Sequence, residues 1–245
     1  MVQRIITTLV LVLVFPNLSW CIEKKGLINI PGLYLGLSGI KDNSSYNFRR
    51  AESSTSSLYL DFDRFDWYGS GYGGEIFLGY GKRVIKNVSL AVEGFYDASS
   101  NEGNIKFIDS NTLYTRNLHG TFRQRWQYGI VARPGFNINE YAQLYGRVGY
   151  LISNIQLSGG ITQTGVLGGF SGKFSSDKNC QGVQLGLGVE MPLNSRLNAR
   201  IEWVWNSLQN FTNQSLIKDS NLNTYTTFRR ASNITLEQIK VGLSW

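Results

Sequence analysis

Val183-Gln184-Leu185-Gly186-Leu187-Gly188-Val189-Glu190 places an apolar residue at every second position, with an amide, two glycines and a carboxylate between them. Period-two alternation marks a strand with one apolar and one polar face. The same pattern recurs at residues 32–39, 74–81, 88–96, 126–133, 144–150, 197–205 and 239–245. Eight strands are thus expected. Their connections alternate in length. Short turns fall near residues 86, 138 and 194, and polar segments rich in Ser, Asn, Thr and Gly fill about 40–72, 97–124, 154–180 and 206–233. Connections that long are unusual in a compact soluble domain. Long loops at one end and short turns at the other are the layout of an outer-membrane barrel. Weak alternation inside the long segments (Leu58-Tyr59-Leu60-Asp61-Phe62-Asp63) leaves a count of ten strands open beside eight.

Composition agrees with this reading. Only 17% of the 245 residues are charged, and the chain carries 27 Gly, 13 Tyr, 13 Phe and 6 Trp. So few charges exclude wholesale disorder, and so much glycine suits neither a helical bundle nor long helices. A helical membrane bundle is excluded as well, because the single long apolar run lies at the N-terminus. There Met1-Val2-Gln3-Arg4 precedes the apolar stretch Ile5 to Phe15, and Pro16 and Ser19-Trp20-Cys21 follow. That is the pattern of a secretory signal peptide over residues 1–21, too short to span a bilayer comfortably. Trp20 disfavours a lipoprotein reading of Leu18-Ser19-Trp20-Cys21. Residues 22–31 form a short N-terminal segment and 32–245 the barrel. Removal of Cys21 leaves Cys180 alone, so no intrachain disulfide is expected.

Three features decide which face meets lipid. The polar face carries Gly36, Gly79, Gly129, Gly149, Gly186, Gly188 and Gly242, small residues suited to a crowded interior. It also carries Glu75, Glu93, Glu190 and Glu202 with Arg133, Arg147, Arg200 and Lys240, acids and bases able to pair across a narrow lumen. The apolar face ends in rings. Tyr96, Trp126, Tyr128, Tyr150, Trp203 and Trp205 fall at the long-loop ends of their strands, and Tyr80 and Trp245 at the short-turn end. Aromatic rings at both headgroup levels are a two-girdle arrangement. In hydrocarbon each unpaired backbone group costs several kcal/mol, so such a sheet must close, and eight strands leave an interior just filled by side chains. The expected fold is all-β: an eight-stranded antiparallel transmembrane barrel, an up-and-down meander with short periplasmic turns and long extracellular loops.

At the C-terminus, Ile239, Val241, Leu243 and Trp245 alternate and close on an aromatic. With residues 73–80, 144–150 and 197–203, this ending resembles the opacity/outer-membrane-protein-A-like β-barrel family of Gram-negative bacteria over about residues 30–245. The resemblance implies an outer-membrane location and insertion by the barrel-assembly machinery, with Ile239 to Trp245 as the assembly signal. It also implies a surrounding of outer-membrane lipid and lipopolysaccharide. No peptidoglycan-binding domain follows the last strand, so anchoring to the cell wall is not expected.

Catalytic chemistry finds little support. His119, the single histidine, sits near Arg116, Arg123 and Arg125 in a long segment. Ser99, Ser100 and Asp109 are its neighbours in sequence, but no motif fixes them as a triad. Cys180 has no partner at metal-ligand spacing. Gly159-Gly160 and Gly168-Gly169 precede no helix, which removes a phosphate-loop reading. No enzyme, no cofactor and, for an exported chain, no nucleic-acid partner are expected despite the net charge of +7. Arg49, Arg50, Arg116, Arg123, Arg125, Arg229 and Arg230 lie near strand tops. They fit lipopolysaccharide phosphates, which Arg grips bidentately, and equally fit plain solvated charge. Two functions remain. One is a structural, membrane-integrity or small porin-like barrel with a lumen largely plugged by Glu/Arg pairs. The other is an adhesin or host-contact antigen, binding host surface molecules through its long loops.

Overall fold

Alternating Leu, Val and Ile against Gly and polar residues produce strands throughout the computed structural model, which describes residues 32–54, 62–110, 114–139, 141–165, 170–218 and 225–245. The signal segment and residues 22–31 lie outside the described residues. The strands are β1 (Gly32–Ser54), β2 (Phe62–Ile85), β3 (Val88–Ser99), β4 (Glu102–Ser110), β5 (Tyr114–Asn137), β6 (Gln143–Gly165), β7 (Phe170–Pro192), β8 (Asn198–Lys218) and β9 (Tyr225–Ser244). All pair antiparallel with their neighbours, and β1 bonds both β2 and β9, so the sheet closes. β4 continues the place of β3 after a break at Ser100-Asn101, bonding to β5. Nine segments therefore make a ring of eight. Closure is sealed where Leu35 and Trp245 exchange backbone bonds of 2.9 and 3.0 Å. Closure removes the free sheet edges that hydrocarbon would leave unsatisfied.

The polar segments expected as long loops are largely strand. β5, β6 and β7 each run 23 or 24 residues, about twice the length that crosses a bilayer. Their outer halves alternate weakly because water bathes that outer surface, so no apolar exterior is needed. Backbone pairing, once in register, continues regardless.

Above the membrane the ring divides. β7 bonds β8 only from Gly182 to Pro192, opposite Leu208 to Asn198. Past that point β7 keeps its pairing with β6 up to Phe170, and β8 keeps its pairing with β9 up to Lys218. A bulge between Leu208 and Phe211 falls where the two strands part, and bulges bend the strand that carries them. On the other side β2 meets β4 through Ser70 and Glu102 alone. The upper structure is thus two sheets, β4-β5-β6-β7 and β8-β9-β1-β2, joined below as one barrel.

Candidate functional site in the lumen and on the outer face

The outer face is a band of exposed apolar side chains: Leu33, Leu37, Ile76, Leu78, Val92, Ile130, Val148, Leu185, Leu187, Ile239, Val241 and Leu243. In water such a continuous surface would aggregate; it fits lipid. At its upper border Tyr96, Tyr128, Tyr150 and Trp203 are exposed, while Trp126 and Trp205 are half-buried. Trp126 stacks on Tyr128 with ring centres 5.7 Å apart. Tyr80 and Trp245 stand at the lower border, near the short turns. The structure adds Tyr68 and Tyr72 above, and Phe136 and Tyr141 below. The first two lay in a segment read as loop, and the last two beside a turn.

The inner face is stratified. Lowest lie the charges, all eight at 3% exposure or less: Glu75, Glu93, Arg133, Arg147, Glu190, Arg200, Glu202 and Lys240. Arg200 donates to Glu93 Oε1 and Glu75 Oε1, both at 3.0 Å. Arg147 donates to Glu202 Oε2 at 2.9 Å and Glu75 Oε2 at 3.1 Å. Arg133 joins Glu93 and, at 2.8 Å, Glu190. Lys240 Nζ donates to Glu75 Oε2 at 2.5 Å. Residues from β2, β3, β5, β6, β7, β8 and β9 thus form one network across the lumen. Buried charge is tolerable only when paired and hydrogen-bonded in this way.

Aromatic rings, missed in the sequence, organise that network. Tyr34 lies opposite Gly79, Phe77 opposite Gly36, Tyr145 opposite Gly188 and Phe95 opposite Gly129. Each ring lies across the neighbouring glycine; a Cβ built on Gly188 would sit 2.5 Å from Tyr145 Cζ. The rings then seat the cations. Arg200 lies 3.3 Å from the Phe77 ring centre, Arg133 3.7 Å from that of Tyr145 and Arg147 4.9 Å from that of Phe95. Cation–π attraction strengthens away from water. Tyr34 and Tyr145 also donate their hydroxyls to Glu93 (2.9 Å) and Glu202 (2.7 Å). Their signal was readable: a large ring on the polar face, one register step from a glycine on the next strand.

Above the charges runs a belt of amides. Gln184 donates to Asn206 (2.8 Å), Asn206 to Gln238 (3.1 Å), Gln127 to Gln238 (3.2 Å) and Gln124 to Gln127 (3.2 Å). Asp42 accepts from Gln238 (2.6 Å) and from Ser99, and Asp97 accepts from Gln127 (2.5 Å). Both acids are fully buried, so among the described residues the lumen holds six carboxylates against four bases rather than the even match expected. Asp42 and Asp97 escaped notice because they fell inside segments read as loops.

Highest is an apolar cap of Tyr46, Phe122, Ile155, Leu157, Leu208, Ile234 and Leu236, none more than 4% exposed. Tyr46 and Phe122 hold the two upper sheets together, their ring centres 3.9 Å apart. Cys180 is a buried free thiol in this cluster.

Of the arginines near strand tops, Arg123 and Arg125 have described side chains. Arg123 is engaged with Glu102 through Nη2 at 2.6 Å, and Arg125 lies 3.9 Å from Asp177. Arg49 and Arg50 on β1, Arg116 on β5, and Arg229 and Arg230 on β9 have side chains outside the described residues. His119 is exposed on β5, not in a loop, with Lys106 and Gly160 beside it. Ser99 donates to Asp42 and Ser100 to the Tyr72 carbonyl, so neither hydroxyl serves that histidine. The Asp109 side chain lies outside the described residues.

A closed antiparallel ring, an apolar exterior edged by aromatic rings and a polar interior define a membrane barrel. The family model of the outer membrane protein beta-barrel domain matches residues 29–245, and the chain belongs to that family. The protein resides in the bacterial outer membrane. No curated protein matches it in sequence. Among solved structures it is similar to Ail, the attachment invasion locus protein of Yersinia pestis, at 13% identity and a TM-score of 0.33, covering 86% of this chain and 99% of that one. It is similar to OprG of Pseudomonas aeruginosa at 9% identity and a TM-score of 0.42, covering 89% and 97%. It is also similar to the outer membrane protease OmpT of Escherichia coli at 10% identity and a TM-score of 0.39, covering 91% and 98%.

Proposed function

We propose that the protein is a closed structural barrel of the outer membrane, one that does not conduct. The observation that carries this reading is the order of inward residues along β9: Lys240 in the ion network, Gln238 in the amide belt, then Leu236 and Ile234 in the apolar cap. A water column must cross all three layers, and of the seven cap side chains Tyr46 alone carries a polar group. Planar-bilayer recording of the purified protein tests it: the current stays at the level of the bare membrane, and frequent large openings reject the closed lumen in favour of a porin-like role.

A second reading, surface recognition, draws on the length of β5 to β7 beyond the apolar band. That extension carries the strand ends at Tyr114, Gly165 and Phe170 well outside the band on a rigid support, where binding segments usually sit. Shortening β5, β6 and β7 to the membrane level abolishes attachment to host surface molecules while the barrel stays intact if this reading holds. We also assign Arg125 to lipopolysaccharide phosphate, since it stands exposed on the outer surface directly above the Trp126–Tyr128 pair. Ile239, Val241, Leu243 and Trp245 face outward at the edge of the last strand, available to the barrel-assembly machinery before closure. The reading includes no catalytic step.

A further inference from the structure

We propose that the outer surface of β5, β6 and β7 carries a binding seat for a phosphorylated sugar, the headgroup that lipopolysaccharide presents in the outer leaflet, and that the seat selects it over a phosphate carried on glycerol. The inference rests on the assignment of Arg125 to lipopolysaccharide phosphate and adds what the neighbouring side chains select.

Its starting point is a bulge in β5. Gln124 pairs with Ile155 and Trp126 with Asn154, so Arg125 is an extra residue in the ladder. Bulges re-aim side chains. Gln124 remains fully buried in the lumen, while Arg125 is exposed and the half-buried Trp126 stacks on the exposed Tyr128. Arg125 stands 3.9 Å from Asp177, too far for a hydrogen bond, whereas Arg123 is already engaged with Glu102.

Register sets the rest of the seat. Trp126, Asn154 and Asn179 lie abreast on adjacent strands, and Asp177 stands one outward position higher on β7. Asn154, only 7% exposed, donates its Nδ2 to Asp177 Oδ1 at 2.6 Å and to Asn179 Oδ1 at 3.0 Å. A buried amide therefore holds two exposed polar groups in place. Asp177 keeps Oδ2 as an acceptor on the Arg125 side, and Asn179, its carbonyl engaged, keeps its N–H groups as donors. Asn154 Oδ1 is itself buried with no hydrogen-bond partner among the described residues, although buried polar atoms are normally paired. A hydroxyl donating into this corner supplies that partner.

These groups fit a sugar phosphate better than a plain anionic lipid. The guanidinium can grip a phosphate bidentately. The Asp177 carboxylate, by contrast, repels an anion and can only accept hydrogen bonds, so beside that cation it calls for hydroxyl donors. A sugar ring brings several of them at fixed spacing. The Trp126–Tyr128 pair, with ring centres 5.7 Å apart and planes 21° from parallel, forms a broad ledge on which the C–H face of such a ring can lie. Height agrees as well. Tyr128 belongs to the upper aromatic border, at headgroup level, and Asn179 and Asp177 follow just above it.

The test measures the thermal shift of the purified barrel in uncharged detergent when lipopolysaccharide or phosphatidic acid is added at equal phosphate. Phosphatidic acid carries a phosphomonoester without a sugar. Lipopolysaccharide is expected to give a shift several-fold larger than phosphatidic acid. In Asp177→Ala/Asn179→Ala the lipopolysaccharide shift is expected to fall to the phosphatidic acid level, and the phosphatidic acid shift to persist because Arg125 remains. Both substituted side chains are exposed, and heat-modifiable migration checks that the variant is folded. Equal shifts from the two lipids on the unmodified chain, or a lipopolysaccharide shift that the double variant retains, overturn the sugar seat and leave Arg125 on phosphate. A double variant that loses both shifts alike shows Asp177 and Asn179 to act only through Arg125, which also overturns the seat. No shift from either lipid overturns the phosphate assignment together with it.

Discussion

Arg200 rests its guanidinium 3.3 Å above the ring centre of Phe77, and Phe77 in turn lies across Gly36 on the adjacent strand. Glycine, ring and cation are stacked in that order because only the missing side chain of Gly36 leaves room for a ring against the barrel wall. The flattened ring then leaves the lumen centre to Arg200, which reaches Glu75 and Glu93 from there. The same order recurs at Gly188, Tyr145 and Arg133. The charge network is therefore positioned by apolar packing.

Filling one of these glycines should displace its ring. Gly188→Val places side-chain atoms where Tyr145 Cζ now lies, 2.5 Å from the Cβ position. Overpacking of this kind costs about 1–3 kcal/mol. Urea unfolding in detergent micelles is expected to show a lower midpoint, with Gly188→Val/Tyr145→Ala recovering part of the loss. A midpoint unchanged by Gly188→Val would mean the ring is free to move.

Removing one member of the ion network should be far costlier than breaking a surface pair. Arg200→Ala removes a cation shared by Glu75 and Glu93, which keep Arg147, Lys240 and Arg133, and deepens the buried excess of acid, a loss of about 3–5 kcal/mol by the scale of a broken buried pair. Arg123→Ala removes a contact to Glu102 in which the side chains are 53% and 36% exposed, and the expected change is about 0–1 kcal/mol. Equal effects of the two variants on the unfolding midpoint would contradict the layered lumen.

The outward position of Arg125 sets a third expectation. Arg125→Glu reverses the charge just above the Trp126–Tyr128 pair without touching the lumen. The thermal shift that added lipopolysaccharide gives the purified barrel should shrink, while the melting temperature in plain detergent stays the same. An undiminished shift assigns the arginine to solvent alone.

Trp245 closes both the apolar band and the backbone ring, through its exchange with Leu35. Trp245→Ala should therefore reduce the folded, heat-modifiable fraction in outer membranes several-fold, and Trp245→Phe should restore most of it. Normal assembly of the alanine variant would remove this residue from the assembly signal.

Strand positions at membrane level, antiparallel order and the split between a lipid face and a polar face were legible because a side-chain period of two is a local property. Leu185 and Leu187 against Gly186 and Gly188 announce it within a few residues. The outer halves of the strands were not legible. Around Asp42 both faces are polar by composition, and Asp97 falls just past Tyr96, where the apolar alternation ends; local patterning is silent where exterior water and interior amides select the same residue types. The glycine–ring pairs occupied the middle ground: Phe77 and Gly36 both stood on the polar face, but their adjacency depends on register.

By itself, then, the chain's alternation determined that strands form, that one side of each is greasy and that the sheet must close to satisfy its backbone. The tertiary structure alone decided which inward residues meet. It brought Arg200 to Glu75 and Glu93 from distant strands, stacked ions, amides and apolar rings into successive tiers, and parted β7 from β8 above Gly182. These outcomes follow from strand register and from one bulge, which are fixed by the summed pairing of the whole ring and not by any short stretch of sequence.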